Sequence, residues 1–175
     1  MNDIIKTAGA EILENRDFLQ VRTYSGYRGP TDADYKGALH LLSPDASDET
    51  LGAAVLDALA LSRFALPPSY RNAPNLHPDV EFDEEFSNVK MEQHYAEWVQ
   101  QMMVRYGYKS KRALFKGMRR CGVESKQGVI TLRPSYHEKL EGWSGVSKDE
   151  HVVIPATSSA VEVGEAARLA LSRCQ

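Results

Sequence analysis

The chain has 175 residues, which is the length of one domain and enough to bury a continuous core without disulfides or metals. Hydrophobic residues make up 42% of it and charged residues 26%, a composition that excludes a disordered or fibrous protein. The formal net charge of −3 is too small to indicate a class of partner, although the charges are unevenly distributed.

The N-terminal stretch MNDIIKTAGAEILENRD has no basic leader before an apolar run, so it is not typical of a signal peptide. The most apolar stretch, Leu51 to Leu66, contains Asp57 and Arg63 and falls short of the roughly 18 uninterrupted apolar residues that a membrane helix needs. The two cysteines, Cys121 and Cys174, are far apart and form no disulfide framework or paired-cysteine zinc motif. We expect a cytoplasmic protein with reduced thiols and no membrane contact.

The first half of the chain predicts two strands and a helix. Residues Phe18 to Tyr24 and Ala38 to Leu42 are typical of short strands, and the turn-rich SGYRGPTDAD between them indicates a hairpin with a long loop. Ser47 or Asp48 can cap the helix that follows, whose apolar face is formed by Leu51, Val55, Ala58 and Leu59.

A proline-rich surface connection, PPSYRNAPNLHP at residues 67–78, precedes a long amphipathic helix. Gly107 is positioned to end this helix, whose apolar face contains Tyr95, Trp98, Val99, Met102, Met103 and Tyr106. Ser110 can cap a shorter helix that runs through Met118.

The C-terminal part predicts strands and a final helix. Arg120 to Val123 and Val129 to Leu132 can pair across the turn ESKQG, and His151 to Ile154 is a possible third strand. Ser159 and Glu162 have the spacing of a capping box that begins a helix through Leu171. Because strands and helices are interspersed without a regular repeat, we predict a mixed α/β (α+β) fold, in which residues 1–175 form a single domain with a mixed or antiparallel sheet covered by helices.

Three features raise an enzymatic alternative. The sequence HEKLE resembles a helical zinc-protease motif, but that motif needs a second histidine where Glu141 stands. His137 and His151 have no visible third metal ligand, and Cys121, although it follows two arginines, has no identifiable base. The alternative of an enzyme that uses Cys121 or the two histidines stays open, but we expect no catalytic residue, no metal and no cofactor.

A basic segment at residues 105–120 contains no acidic residue and carries Arg105, Lys109, Lys111, Arg112, Lys116, Arg119 and Arg120. Tyr106, Tyr108 and Phe115 could add base stacking, although apolar packing explains Tyr106 and Phe115 equally well. The segment therefore leaves open a nucleic-acid-binding regulatory protein, beside the ordinary interpretation of a solvated helical face.

An acidic segment lies at residues 79–85. Val80 and Phe82 alternate with its first three acids, so an extended backbone would direct those acids to one side and the two apolar residues to the other; the carboxylates are those of Asp79, Glu81, Asp83, Glu84 and Glu85. Calcium binding is not indicated, because the turn glycine and downstream acid of a calcium loop are missing. The segment is either a solvated loop or a partner surface with apolar anchors.

Four blocks of the chain together resemble contact-dependent growth inhibition (CDI) immunity proteins: LGAAVLDALALSRF, YGYKSKRALFKGMRRC, HEKLEGW and VVIPATSSAVEVGEAARLALSRC. The blocks lie between Leu51 and Cys174, and the likeness is weakest over the N-terminal hairpin and the acidic segment. The resemblance implies a cytosolic protein that binds and neutralises a cognate toxin domain, in many such systems a nuclease. It carries over no catalytic motif, which agrees with the missing active site.

A nuclease attracts phosphate backbones with a positive cleft, so an acidic partner surface can block its active site or its access to substrate. The predicted toxin-binding residues are Asp79, Glu81, Phe82, Asp83, Glu84 and Glu85. Tight binding also needs desolvated apolar anchors, for which Phe82, Phe86 and Tyr70 are the candidates. The hypothesis is a stoichiometric complex with the toxin, without direct nucleic-acid binding.

Overall fold

The computed structural model describes residues 4–175, so the first three residues of the N-terminal stretch discussed above lie outside the described residues. Within residues 4–175 the chain forms ten strands: β1 (Ala8–Glu14), β2 (Leu19–Ser25), β3 (Asp32–Ala33), β4 (Leu39–Leu42), β5 (Ala65–Leu66), β6 (Glu81–Phe82), β7 (Arg119–Lys126), β8 (Val129–Lys139), β9 (Gly142–Gly145) and β10 (Val152–Pro155). The α-helices are α1 (Asp48–Ala60), α2 (Asn88–Tyr106), α3 (Lys111–Phe115) and α4 (Ala160–Ser172).

The main sheet is antiparallel and has the strand order β10-β8-β7-β1-β2-β3, with β4 also paired to β2 and β9 to β8. The predicted long-looped hairpin is confirmed as β2 and β4, with Leu19 opposite Leu42. The predicted pairing across ESKQG is also confirmed, since β7 and β8 meet at a two-residue turn in which Gln127 and Gly128 both have positive φ. Strand β1 was missed by the sequence analysis, yet it lies in the middle of the sheet.

Capping residues mark the ends of the helices. The Ser47 side chain, not that of Asp48, caps α1, and the Ser159 and Glu162 capping box is present at α4. Gly107 ends α2 in the left-handed conformation, as predicted. Helix α3 is shorter than predicted because Gly117 adopts a φ of 66° and turns the chain into β7. Among the described residues, no helix combines the length and apolarity that crossing a membrane requires.

The two faces of the sheet carry separate cores. Alternation along β1 and β2 directs Ile12, Leu19 and Val21 towards α1 and α4, and Leu13 and Phe18 towards α2 and α3. The α1–α4 face is closed by apolar residues. The opposite face is apolar only where α2 and α3 cover it, and further along the strands it carries charged side chains. The mixed α/β fold with a helix-covered antiparallel sheet is confirmed.

Helices α1 and α4 cross at two glycines, Gly52 and Gly164. A Cβ atom added to Gly164 would lie 1.8 Å from the backbone oxygen of Asp48, and one added to Gly52 would lie 1.6 Å from the backbone oxygen of Ala160. Neither position tolerates a side chain unless the helix backbones separate. The crossing therefore fixes how closely α1 and α4 cover the sheet.

We expect Gly164→Ala to lower the free energy of unfolding by about 2–3 kcal/mol, because the added methyl group must push two helix backbones apart. For a domain of this size the melting temperature should fall by about 5–10 °C. Gly145→Ala is the matched control, since a Cβ there meets nothing within 4 Å. Equal melting temperatures for the two variants in thermal unfolding would contradict the close crossing.

Candidate functional site

The acidic segment forms an ordered connection between β5 and α2. Glu81 and Phe82 form β6, which pairs with β5 in parallel. The Asp83 side chain caps a 3₁₀ helix, Glu84–Phe86, by accepting a hydrogen bond from the Glu85 backbone, and Ser87 then caps α2. The segment is thus held in one conformation and not left as a free loop.

Asp83 departs from the expected alternation, because its carboxylate turns inwards. Its side chain is only 12% exposed and accepts hydrogen bonds from Nη1 of Arg63 at 2.8 Å and from Nζ of Lys36 at 2.7 Å. Burial by itself raises the pKa of Asp83, but the hydrogen bonds from Lys36 and Arg63 outweigh burial and leave the pKa well below its usual range. Arg63 also binds Asp34 at 2.7 Å, so Asp83 helps to anchor the segment to the domain.

The other four acids differ in how much charge they present to solvent. Asp79 is paired with Lys6 at 2.9 Å, but both side chains are exposed. Glu81 is exposed and lies 3.6 Å from Arg63, and Glu85 contacts His94. Glu84 is exposed and has no ion pair within residues 4–175. The accessible negative charge is therefore that of Asp79, Glu81 and Glu84.

The three predicted apolar anchors are unequally accessible. Phe86 is buried beneath the guanidinium of Arg63, 5.1 Å from its ring centroid, and belongs to the interior. Phe82 is half-buried, with Arg71 lying 5.2 Å from its ring. Tyr70 is exposed. A partner could therefore contact Tyr70 directly and Phe82 in part, but not Phe86.

Two residues of the enzymatic alternative, Cys121 and His137, pack against neighbouring side chains. Cys121 is fully buried in the α1–α4 core, and burial raises the pKa of its thiol despite the neighbouring Arg120. His137 lies on β8, not on a helix, and its ring stacks on Trp143 at a centroid distance of 4.7 Å. Within the part of the chain that the structure describes, no three His, Cys, Asp or Glu side chains are grouped to hold a metal ion.

Three of the seven cations in the basic segment are paired with carboxylates. Lys111 pairs with Glu141 at 3.2 Å, and Arg119 pairs with Glu14 at 3.3 Å. Arg120 turns into the domain and donates a hydrogen bond from Nε to Glu11 at 2.6 Å. Within the basic segment, the exposed cations that form no ion pair with a described residue are Arg105, Lys109, Arg112 and Lys116.

A polar cleft that the sequence analysis missed lies between the sheet and α2. It encloses about 400 Å³, a volume typical of binding pockets. Its aromatic walls include Tyr24, Tyr35, Tyr95, Trp98 and Trp143, and its charged lining includes Glu11, Arg22, Asp32, Arg120 and Glu141. Only a correct assignment of β1 would have placed Glu11 on the same face as Arg22.

The charged floor of the cleft is centred on Glu11, whose carboxylate is buried. Oε1 accepts a hydrogen bond from Nε of Arg22 at 2.9 Å, while Oε2 accepts from Tyr24 and from Arg120 at 2.6 Å each. Burial by itself raises the pKa of Glu11, but the charges of Arg22 and Arg120 and the Tyr24 hydrogen bond outweigh it, so the pKa is lowered overall. Glu11 thus remains ionised between two arginines.

The acidic segment and the cleft are contiguous. The ring of Tyr35, which lines the cleft, stacks on His94 at a centroid distance of 4.4 Å, and His94 contacts Glu85. Lys36, the next residue after Tyr35, pairs with Asp83. The structure therefore brings the predicted segment and the missed cleft together as one surface on the same side of the sheet.

We expect Glu11→Gln to lower the free energy of unfolding by about 3 kcal/mol at pH 7, because Arg22 loses its buried counter-charge. The lowered pKa of Glu11 stabilises the fold fully above its ordinary value of 4.5, and this stabilisation is lost as the pH falls through the folded-state pKa. The difference between wild type and variant should therefore shrink from pH 5 to pH 3 in urea unfolding. Glu49→Gln, at an exposed position, should give no such pH-dependent difference; a constant difference for Glu11→Gln would contradict the buried ion cluster.

The model of the CdiI family, described as CDI immunity protein, matches residues 8–174. The immunity protein CdiI-YPIII of Yersinia pseudotuberculosis serotype O:3 (strain YPIII) is 47% identical over 178 residues, covering 100% of this chain and 99% of the relative. The resemblance inferred from the four sequence blocks is thereby confirmed.

Solved structures show the same relationship. One match is a chain of the CdiA-CT/CdiI toxin and immunity complex from Yersinia pseudotuberculosis, with a TM-score of 0.92 and 46% identity. The alignment covers 99% of the present chain and 100% of the matched chain. A second match is a Neisseria meningitidis protein of unknown function, NMB0488, with a TM-score of 0.83 and 32% identity. That alignment covers 100% of the present chain and 99% of the matched chain. Sequence and fold together place the chain in the CDI immunity protein family.

Proposed function

We propose that this chain binds and neutralises the cognate toxin domain of a CDI system by forming a protein–protein complex, and that it does so without catalysis. The observation that carries the proposal is the full-length match, at 46% identity and a TM-score of 0.92, to a chain of a toxin and immunity complex. The cytoplasm, where an incoming toxin would act, is the proposed site of binding.

The proposed toxin is a nuclease, whose active site or access to substrate the immunity protein blocks. Support comes from charge: an enzyme that binds phosphate backbones needs a positive cleft, and a negative surface steers towards it. The exposed carboxylates of Asp79, Glu81 and Glu84 lie on one short ordered segment, which can present them without a large ordering cost.

The proposed contact residues are Asp79, Glu81, Phe82, Asp83, Glu84 and Glu85, with distinct roles. The three exposed acids and the accessible part of Phe82 would touch the toxin. Asp83 and Glu85 would hold the segment in position through Arg63, Lys36 and His94. Neutralising Asp83 therefore tests the fold of the segment, whereas neutralising the exposed acids tests its charge.

The first experiment is co-expression of the chain with the toxin domain encoded beside it, scored by cell survival and by co-purification. We expect survival and a stable 1:1 complex. Death of the cells and no complex would remove the proposed function for that pair. Salt-sensitive binding of RNA or DNA by the chain alone would then favour the nucleic-acid-binding alternative, through the exposed cations of residues 105–120.

The combined variant Asp79→Asn, Glu81→Gln and Glu84→Gln should slow association with the toxin domain about tenfold at low salt, because it removes steering charge. The two association rates should converge at high salt, where the field is screened. The control combines Glu49→Gln, Asp149→Asn and Glu165→Gln, which removes the same charge from exposed positions elsewhere. Equal slowing in both variants, measured by stopped-flow, would show an effect of net charge alone and reject the segment.

A further inference from the structure

The floor of the cleft has more positive than negative charge. Glu11 supplies one carboxylate and Arg22 and Arg120 supply two guanidinium groups, all within one hydrogen-bonded cluster. Arg120 is kept protonated, since burial alone lowers its pKa but the charge of Glu11 raises it further. The cluster therefore retains one positive charge that its own members do not balance.

The two arginines are not equivalent. Arg22 is buried; Nε donates to Glu11, and its terminal amino groups lie 3.5 Å from the hydroxyl oxygens of Tyr35 and Tyr24. Its guanidinium also lies over the ring of Trp98, 5.3 Å from the centroid. Arg120 donates from Nε to Glu11 and lies beside Tyr24, and within residues 4–175 its terminal amino groups form no ion pair with a second carboxylate. Because its side chain is 34% exposed, Arg120 can accept a ligand.

Arg120 is accessible from two sides. It lines the cleft of about 400 Å³ and also an adjoining hollow of about 250 Å³, which shares Glu11, Tyr24 and Thr31 with the cleft. Gly122 also lines the hollow, and a Cβ atom added there would meet nothing within 4 Å. A side chain entering either cavity can therefore meet the two terminal amino groups in the planar, paired geometry that guanidinium groups offer to carboxylates.

We propose that Arg120 is a recognition residue that binds a carboxylate, an Asp or Glu side chain, of the bound toxin domain. This inference rests on the proposed function and adds the chemistry of a second contact beside the acidic segment. A carboxylate carries the single negative charge that balances the cluster. It would be bound between aromatic walls, where water is displaced and a charge-assisted pair is stronger than at an open surface.

The other charges of the cleft favour a carboxylate over a phosphate group. Asp32 and Glu141 also line the cleft, and Asp32 has no ion pair within the described residues. A phosphate dianion would meet these carboxylates and find only one unbalanced positive charge. A protein segment can instead place a carboxylate on the floor and a cation beside Asp32, which matches both charges.

The test compares Arg120→Gln with Arg119→Gln, which makes the same change at the next residue, where the side chain points away from the cleft and pairs with Glu14. Affinity for the toxin domain is measured by isothermal titration calorimetry. We expect Arg120→Gln to weaken binding about 100-fold and Arg119→Gln less than twofold. Arg120→Lys should weaken it about tenfold, because it keeps the charge but loses the planar pair of donors.

Each Asp and Glu of the toxin domain is then changed to Asn or Gln in turn. One such change should weaken binding to the wild-type chain but have no further effect on Arg120→Gln, and this coupling does not depend on how Arg120→Gln affects folding. If the wild-type chain binds and Arg120→Gln binds equally well, or no toxin carboxylate couples to Arg120, the carboxylate site is overturned while the immunity function stands. If the wild-type chain itself does not bind, the proposed function fails first.

Inorganic phosphate tests the competing ligand. We expect no change in the melting temperature of the free chain at millimolar phosphate relative to chloride of equal ionic strength. A stabilisation that the Arg120→Gln variant loses would assign the cleft to phosphate and overturn the carboxylate proposal.

Discussion

A buried carboxylate in the central strand constrains much of this structure. The register places Glu11 directly opposite Arg22 on β2, while Arg120 reaches the same carboxylate from β7 on the other side. An ionised carboxylate cannot stay buried without such partners, so all three strands must keep this alignment. The cluster also makes the sheet polar beside helix α2, and the cleft lies there, between the sheet and the helix.

The two faces of the sheet consequently differ: one is closed by an apolar core, and the other carries an open cleft. On one face, the glycine crossing of α1 and α4 closes an apolar core that contributes stability. On the other face, α2 and α3 cover part of the sheet and leave aromatic and charged side chains around an open cleft. The acidic segment borders this cleft through Tyr35 and His94, so both proposed contacts with the toxin lie on the α2–α3 side of the sheet, away from the α1–α4 core.

Local signals predicted much of the fold but not the cleft. Caps and turns such as Ser47, Gly107 and the Ser159 capping box act within a few residues, and each was found as predicted. Strand β1 was missed because Glu11, a charged residue at its centre, interrupts the apolar pattern. The arginine that balances this charge, Arg22, lies on another strand. The inward turns of Asp83 and Arg120 depend on partners 20 and 109 residues away, which spacing along the chain cannot indicate.

The claim that the toxin binds the cleft side of the sheet is tested most directly by hydrogen–deuterium exchange. Exchange is measured for the chain alone and in complex with the toxin domain. If the toxin binds the cleft side, amide protection should increase in residues 79–86, in β7 near Arg120 and in the loop around Tyr35, while α1 and α4 stay unchanged. Added protection confined to α1, α4 or β10 would place the toxin on the opposite side and contradict both proposed contacts.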